Sequence, residues 1–241
     1  MSAGRKGPTV FRVLLFHSEI AAFLGAAALA LLGQWFWAAF CAAFVVVAHL
    51  IGRTWSRRAP LPMPHLMRWV LRLPRGFHSP GNLKKILQPQ IGERILEVGA
   101  GVGIHALPTA ASLLPGGVLD VFDAQREMLD AIMQRAAKYG ITNIRPAQGD
   151  ARRLPYPDST FSAAYMIGVL GEIPDPAAAL REVRRVLKSG GRLLIGEVLI
   201  DPDFIAFRTL RRLAEDTGFS LKGRGGLGFA YMAMFHPIEV V

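Results

Sequence analysis

Two patterns of hydrophobic and polar residues divide the 241-residue chain. From Ile20 to Gly52 there is no Asp, Glu, Lys or Arg, a run of 33 residues, and the apolar pattern starts near Phe11. From about residue 92, short apolar runs alternate with stretches whose apolar residues recur at helical spacing, which is typical of a parallel sheet covered by helices. The sequence therefore predicts an apolar helical segment followed by an α/β domain.

The apolar segment is too long for one upright membrane helix. A helix of that length would measure roughly 50 Å, against a hydrocarbon core of about 30 Å. A Gly-Gln break at 33–34 is followed by two tryptophans, which suit a membrane-water interface. We therefore predict a membrane-anchoring helical hairpin within residues 1–52, with arms of about 11–32 and 35–51, that either spans the bilayer or enters one leaflet.

Other interpretations of this segment stay open: a single long tilted span, a cleaved signal peptide, or a helix pair buried in a soluble protein. A signal peptide fits poorly because its apolar region is usually much shorter. Glu19 and His17 lie in the first arm, and an acid at the bilayer centre costs about 2.5–3.5 kcal/mol. We expect Glu19 to lie near the interface, where its carboxyl group can reach lipid headgroups or share a proton with His17.

Positive charge is concentrated before residue 81. Residues 1–80 hold nine Lys and Arg against one acid, a net charge of +8, whereas the rest of the chain holds nineteen against seventeen. The near-neutral remainder argues against nucleic acid as a partner. Basic residues flank both ends of the apolar segment: Arg5, Lys6 and Arg12 before it, and Arg53, Arg57 and Arg58 after it. By the positive-inside rule, both ends and the α/β domain are expected on the cytoplasmic face of a membrane.

Residues 53–80 form a basic linker whose five prolines exclude one regular helix. A short helix inside it would present His65, Arg68 and Arg72 on one side and apolar residues on the other. Such a helix suits a bilayer surface, with its arginines at lipid phosphates; packing on the α/β domain is the alternative. Membrane lipids are accordingly expected as partners of residues 11–75.

The α/β domain, residues 81–241, is predicted to hold a doubly wound, Rossmann-like sheet. Strands are predicted at 94–98, 117–122, 143–148, 161–166 and 191–199, and helices at 103–113, 125–138, 175–188 and 203–217. For the third of these helices, Asp175 is the expected N-cap, Pro176 the first residue, and Gly190 and Gly191 the stop. Two last strands, around the Gly-rich turn in "GFSLKGRGG" and "LGFAYMAMFHP", predict an antiparallel hairpin at the end of the sheet.

Three glycines follow the first strand, in "ILEVGAGVGIH". Gly99, Gly101 and Gly103 lie at the first crossing from strand to helix, where a doubly wound sheet binds nucleotides. A dinucleotide fingerprint would require glycine at the position of Ile104, so the pattern disfavours NAD. The single cysteine, Cys41, excludes disulfides within the chain and a metal site built from several cysteines, and no metal is predicted.

Four ordered motifs over roughly residues 80–236 resemble the class I S-adenosylmethionine-dependent methyltransferases. These are "ILEVGAGVG", "VFDAQREML", "AQGDARRLPYPDSTFSAAYM" and "ALREVRRVLKSGGRLLIGE". The third is similar to the branch that methylates quinones and lipids. The resemblance implies S-adenosylmethionine as cofactor and S-adenosylhomocysteine as product.

The same resemblance implies roles for individual residues. Asp123, with Ala124 beside it, would accept hydrogen bonds from the two ribose hydroxyls. Asp150, with Ala151 nearby, would accept from the adenine amino group. Glu97 would help to place the methionine ammonium, while the turn of Gly99, Ala100, Gly101 and Gly103 would lie against the amino acid part.

The acceptor and its chemistry are less determined by the sequence. Glu172, in the loop after the fourth strand, and His105, just past the glycines, are the candidate catalytic residues; Tyr165, Glu197 and His78 are weaker candidates. Because tethering concentrates an enzyme near molecules dissolved in the membrane, the expected acceptor is a lipid or a prenylated quinone. The alternatives are a lipophilic thiol, or a membrane-bound protein that binds the cofactor without catalysis.

Overall fold

The computed structural model describes residues 6–58 and 76–238, and the chain divides into two compact units, residues 1–60 and 61–241. The first unit is a helical hairpin. Helices α1 (Lys6–Leu31) and α2 (Trp35–Arg58) pack against each other, and Gly33 connects them with a φ of 73°. Helix α2, the second arm, extends beyond its predicted end at residue 51 as far as Arg58. It therefore includes the first residues of the predicted linker, 53–80.

Both helices of the hairpin are long and apolar enough to cross a membrane. The qualifying segments are Val13–Leu31 and Trp35–Thr54, with mean hydropathies of 1.8 and 2.0. Hardly any of their side chains are buried, unlike those of a core helix in a soluble protein. The Glu19 carboxylate lies 3.9 Å from His49 Nδ1 on α2, whereas His17 Nδ1 lies 2.6 Å from the Val13 carbonyl oxygen. Glu19 therefore lies within ion-pair distance of a histidine on the other helix of the hairpin.

The expected short helix with His65, Arg68 and Arg72 lies outside the described residues. The second unit is described from Gly76. A short 3-10 turn, Gly76–His78, leads into α3 (Pro80–Leu87), which the sequence analysis missed. Ser79 caps α3 by accepting a hydrogen bond from Asn82 N.

A seven-stranded sheet forms the centre of the second unit, in the order β3-β2-β1-β4-β5-β7-β6. The strands are β1 (Arg94–Val98), β2 (Val118–Asp123), β3 (Ile144–Gln148), β4 (Phe161–Ile167), β5 (Leu187–Val198), β6 (Phe219–Leu227) and β7 (Ala230–Pro237). The first five are parallel, and β7 is antiparallel to both β5 and β6. The predicted doubly wound sheet with a terminal antiparallel hairpin is confirmed.

Four further helices cover the sheet: α4 (Ala106–Ser112), α5 (Arg126–Lys138), α6 (Pro176–Val186) and α7 (Phe207–Asp216). Asp175 caps α6 by accepting from Ala178 N, as its position before Pro176 predicts. The helix ends at Val186, however, and not at the glycines. Gly190, with a φ of 70°, lies within β5, where the pairing with β4 shifts register; these glycines make an irregularity in a strand that begins earlier than predicted.

The buried apolar side chains form two clusters, one on each face of the sheet. One contains Leu96, Met166, Leu193 and Ile195 with residues of α6 and α7. The other contains Ile95, Leu119 and Leu194 with residues of α3, α4 and α5. Because both faces are covered, the exposed loops at the carboxyl ends of the parallel strands are the natural place for a ligand site.

Candidate active site

The Gly-rich turn between β1 and α4 begins at the carboxyl edge of the sheet. Gly99, Gly101 and Gly103 have φ values of 71°, 53° and 74°, in the left-handed region that favours glycine. Ala100 and Gly103 are buried within the turn. A Cβ on Gly99 would lie 2.2 Å from Val169 Cγ2, so the loop after β4 packs directly on this turn.

Asp123 is held against the glycine turn at the end of β2. One carboxylate oxygen, Oδ2, accepts a hydrogen bond from Gly101 N at 3.1 Å, and Oδ1 accepts from Gln125 N at 2.9 Å. Burial raises the pKa of Asp123, while the backbone N–H donors act in the opposite direction. The two oxygens of a carboxylate together offer about four acceptor positions, so Asp123 can still accept a hydrogen bond from a ligand. The neighbouring Ala124 is exposed.

Asp150 follows β3 and is linked to Asp123 through the main chain. Gly149 N donates to the Asp123 carbonyl oxygen at 3.1 Å. The carboxylate of Asp150 is exposed and paired with Arg152, whose Nη2 lies 2.6 Å from Oδ2. This guanidinium lowers the pKa of Asp150, which therefore remains an ionised acceptor. Ala151 packs against the core.

Glu97 is buried in β1 and bound by a tyrosine from the adjacent strand. The pairing of β1 with β4 sets Glu97 beside Tyr165, and the tyrosine hydroxyl donates to Glu97 Oε2 at 2.8 Å. Burial, and next the Glu97 charge, raise the pKa of Tyr165 well above its usual value. Tyr165 thus stays protonated and orients the Glu97 carboxylate. From the sequence alone, Tyr165 is only a weak candidate for the site, because its contact with Glu97 depends on the register of two strands.

The two candidate catalytic residues have different surroundings. Glu172 is half-buried in a 3-10 turn, Leu170–Glu172, after β4, in the loop that contacts the glycine turn through Val169. His105 is buried, and its Nε2 lies 2.8 Å from the His78 carbonyl oxygen. That nitrogen holds the 3-10 turn before α3, so the geometry favours a structural role for His105 over proton transfer.

The His78 side chain is itself buried. Its Nε2 lies 2.9 Å from the Tyr231 carbonyl oxygen of β7, so the segment before α3 is fixed to both α4 and the terminal hairpin. From the sequence alone, His78 is only a weaker candidate for the site.

Glu197 is a buried carboxyl group near the end of β5. Its Oε2 accepts from Ile205 N at 3.1 Å, and Oε1 has no hydrogen-bond partner among the described residues. Burial, and next the charges of Asp201 and Asp203, raise its pKa well above the usual range.

The loop after β5 also touches the loop after β4: a Cβ on Gly171 would lie 1.9 Å from the Asp203 carbonyl oxygen.

We expect Glu197→Gln to stabilise the protein near pH 8, with a gain that shrinks as the pH falls and disappears at about pH 4.3, the ordinary pKa of an unfolded Glu. A carboxyl whose folded-state pKa is raised contributes stability only while it stays protonated, so the wild type loses stability as the pH rises above the unfolded value. Denaturant unfolding of both proteins across this pH range measures the difference.

The matched control for this prediction is Glu182→Gln, since Arg185 lowers the pKa of Glu182. That variant should lose stability near neutral pH, the opposite sign. A pH-independent difference between wild type and Glu197→Gln would show that Glu197 does not titrate as described.

Comparison with known proteins identifies the second unit. Residues 95–191 match a family described as "Methyltransferase domain". The ubiquinone/menaquinone biosynthesis C-methyltransferase UbiE of Pasteurella multocida is 30% identical over 133 residues, 52% of this chain and 50% of that protein. A demethylmenaquinone methyltransferase of Corynebacterium kroppenstedtii is 37% identical over 115 residues, 47% and 45% of the two chains. The chain thus spans about half the length of these curated relatives.

The fold comparison agrees with the sequence comparison. A solved structure of a SAM-dependent methyltransferase from Aquifex aeolicus superposes with a TM-score of 0.67 at 19% identity, covering 73% of this chain and 99% of that one. The YcgJ protein of Bacillus subtilis superposes with a TM-score of 0.53 at 25% identity, covering 62% and 72%. The first of these establishes a shared fold and nothing finer.

Proposed function

We propose that this chain, which belongs to the class I S-adenosylmethionine-dependent methyltransferases, transfers a methyl group from that cofactor to a hydrophobic acceptor dissolved in a membrane. One observation carries the proposal: two apolar helices of membrane-spanning length precede a domain with the methyltransferase sheet order. The acceptor we favour is a prenylated quinone or a lipid, in keeping with the quinone-related names of the relatives.

The residues present fit the cofactor. A ribose presents two adjacent hydroxyls, and the Asp123 carboxylate, fixed by backbone N–H groups at the end of β2, is a suitable acceptor for them. Asp150 stays ionised beside Arg152 and suits an amino group, while the buried pair of Glu97 and Tyr165 presents negative charge next to the glycine turn. We propose these carboxylates for the ribose, the adenine and the methionine ammonium, respectively.

When bound, S-adenosylmethionine supplies an activated methyl group on a sulfonium, so the protein must chiefly align an acceptor. The β4 loop is the part of the chain suited to this task, since Val169 packs on Gly99. Glu172 lies three residues further along, and we propose that it faces the acceptor. For a carbon or thiol acceptor, its carboxylate would take the proton that must leave. His105 would only hold the segment before α3.

Membrane anchoring through α1 and α2 is part of the proposal. Basic residues lie at both outer ends of the hairpin, and from the positive-inside rule we infer that both ends lie in the cytoplasm. The catalytic unit, which follows the second helix, would then lie on the cytoplasmic face.

The test is a transfer assay with the full-length chain in lipid vesicles. Methyl-labelled cofactor is incubated with vesicles containing demethylmenaquinone, or with a bacterial membrane extract, and the organic phase is analysed by mass spectrometry. We expect label in a lipid-soluble product, and none with an Asp123→Ala variant. Label found only in water-soluble products would contradict the proposal, and label on an added long-chain thiol alone would assign the thiol as acceptor.

A further inference from the structure

Four large apolar side chains are exposed together on two loops of the catalytic unit. Leu199 and Ile200 follow β5, and Leu227 and Phe229 flank the turn between β6 and β7; their exposed fractions are 46%, 78%, 62% and 55%. We call these four residues the rim patch. Single exposed apolar residues are ordinary on protein surfaces, but a contiguous group indicates an interaction site.

Strand pairing places the rim patch at one point. Ala230 pairs with both Val198 of β5 and Leu227 of β6, so the hairpin turn lies beside the end of β5. Leu199 N donates to the Phe229 carbonyl oxygen at 2.7 Å, which joins the two loops. Since β5 is parallel to β1 and β4, this is the same edge of the sheet at which the glycine turn begins.

The hairpin turn carries a large exposed aromatic side chain. Only Gly228 and Phe229 lie between the paired residues Leu227 and Ala230; two-residue hairpin turns favour Asn, Asp and Gly, so Gly228 suits the turn, whereas the turn does not require Phe229. Because the side chains of the rim patch are largely exposed, packing of the core does not explain why these positions are apolar. Binding of a partner would explain it.

The charges beside the rim patch favour an anionic, apolar partner. Residues 219–238 contain Lys222 and Arg224 and no acid. The Arg224 guanidinium is held 4.5 Å from the ring centre of Phe207 and 5.4 Å from that of Tyr231. The acids of the β5 loop, Asp201 and Asp203, are half-buried: Asp201 accepts from Asp203 N, and Asp203 Oδ1 is buried.

We propose that the rim patch inserts into the headgroup region of a bilayer that contains anionic lipid. Apolar side chains bordered by cations are typical of segments that lie in a membrane interface, and the same chain carries two helices of membrane-spanning length. This inference rests on the proposed function. Docking of the rim patch would give an acceptor dissolved in the membrane a path to the carboxyl edge of the sheet that avoids water.

The experiment uses the single cysteine of the chain. Cys41→Ser removes it, and a cysteine introduced by Leu227→Cys then carries a bimane fluorophore. The matched control is Ile91→Cys, since Ile91 is also apolar and 69% exposed but precedes β1, at the opposite edge of the sheet. Each full-length protein is reconstituted into vesicles of phosphatidylcholine with phosphatidylglycerol.

We expect the label at 227 to be quenched by nitroxide-bearing lipid and to lose its quenching by aqueous iodide, and the label at 91 to show the reverse. Equal iodide quenching at both positions would overturn the proposal. The proposal would also be overturned if protection of position 227 from iodide increased with the protein-to-lipid ratio, because the rim patch would then bind a second copy of the chain. The readout is independent of methyl transfer, so a failure of the proposed function would appear only in the transfer assay.

Discussion

Asp123→Ala is expected to weaken binding of S-adenosylmethionine by about 100-fold. Hydrogen bonds to a charged group contribute about 1.5–3 kcal/mol each, and the proposed role gives Asp123 two of them. Their joint loss, about 3 kcal/mol, corresponds to roughly two orders of magnitude in Kd. Isothermal titration calorimetry with the full-length chain in detergent measures the change.

The same carboxylate also accepts backbone N–H groups from Gly101 and Gln125, so the Asp123→Ala variant needs two controls. Asp123→Asn keeps the shape and removes the charge, and should bind with intermediate affinity. Asp130→Ala removes an exposed carboxylate paired with Arg126 and should bind as tightly as the wild type. If Asp123→Ala also binds as tightly, the assignment of the ribose to this residue is wrong.

Local sequence patterns predicted the parts of the fold that depend on neighbouring residues. Strand ends such as Asp123 follow from short apolar runs, and the N-cap at Asp175 follows from the residue type before a proline. The predicted end of α6, residue 188, is two residues too late, because a glycine pair is as compatible with an irregular strand as with a helix stop. Only the pairing of β5 with β4 decides between them.

Contacts between residues far apart in sequence were not predictable in this way. Tyr165 meets Glu97 because two parallel strands adopt one particular register. His105 meets His78 because the segment before α3 is held against the start of α4, and α3 itself has too few apolar positions to stand out in the sequence. The sequence motifs therefore predicted the cofactor. The contacts of the histidines and of Tyr165 could be described only from the three-dimensional structure.

The loops after β4 and β5 pack closely on each other. Gly171 allows the β4 loop to contact the backbone of Asp203, because a Cβ at this position would lie 1.9 Å from the Asp203 carbonyl oxygen. A side chain at position 171 would displace the β5 loop, which carries Leu199 and Ile200 of the rim patch.

Gly99→Ala is expected to destabilise the catalytic unit by about 3 kcal/mol and to abolish cofactor binding. The φ of 71° alone costs a non-glycine residue roughly 1 kcal/mol. The added Cβ would also lie 2.2 Å from Val169 Cγ2 and 2.9 Å from Val169 Cβ, and overpacking of this kind costs about 1–3 kcal/mol. Because the Val169 Cβ is fixed to the backbone, a change of rotamer does not relieve the overlap, and the glycine turn must move.

Two further variants separate these contributions. Gly92→Ala introduces a side chain at a similar φ of 81° with no atom within 4 Å of the new Cβ, so it should lose only the conformational part, about 1 kcal/mol. Gly99→Ala combined with Val169→Ala should recover part of the difference, since both γ-carbons are removed while the Cβ at position 169, 2.9 Å away, remains. Denaturant unfolding gives the free energies, and calorimetry gives the cofactor affinity. If the double variant is no more stable than Gly99→Ala, contact with Val169 is not what makes glycine necessary at this position.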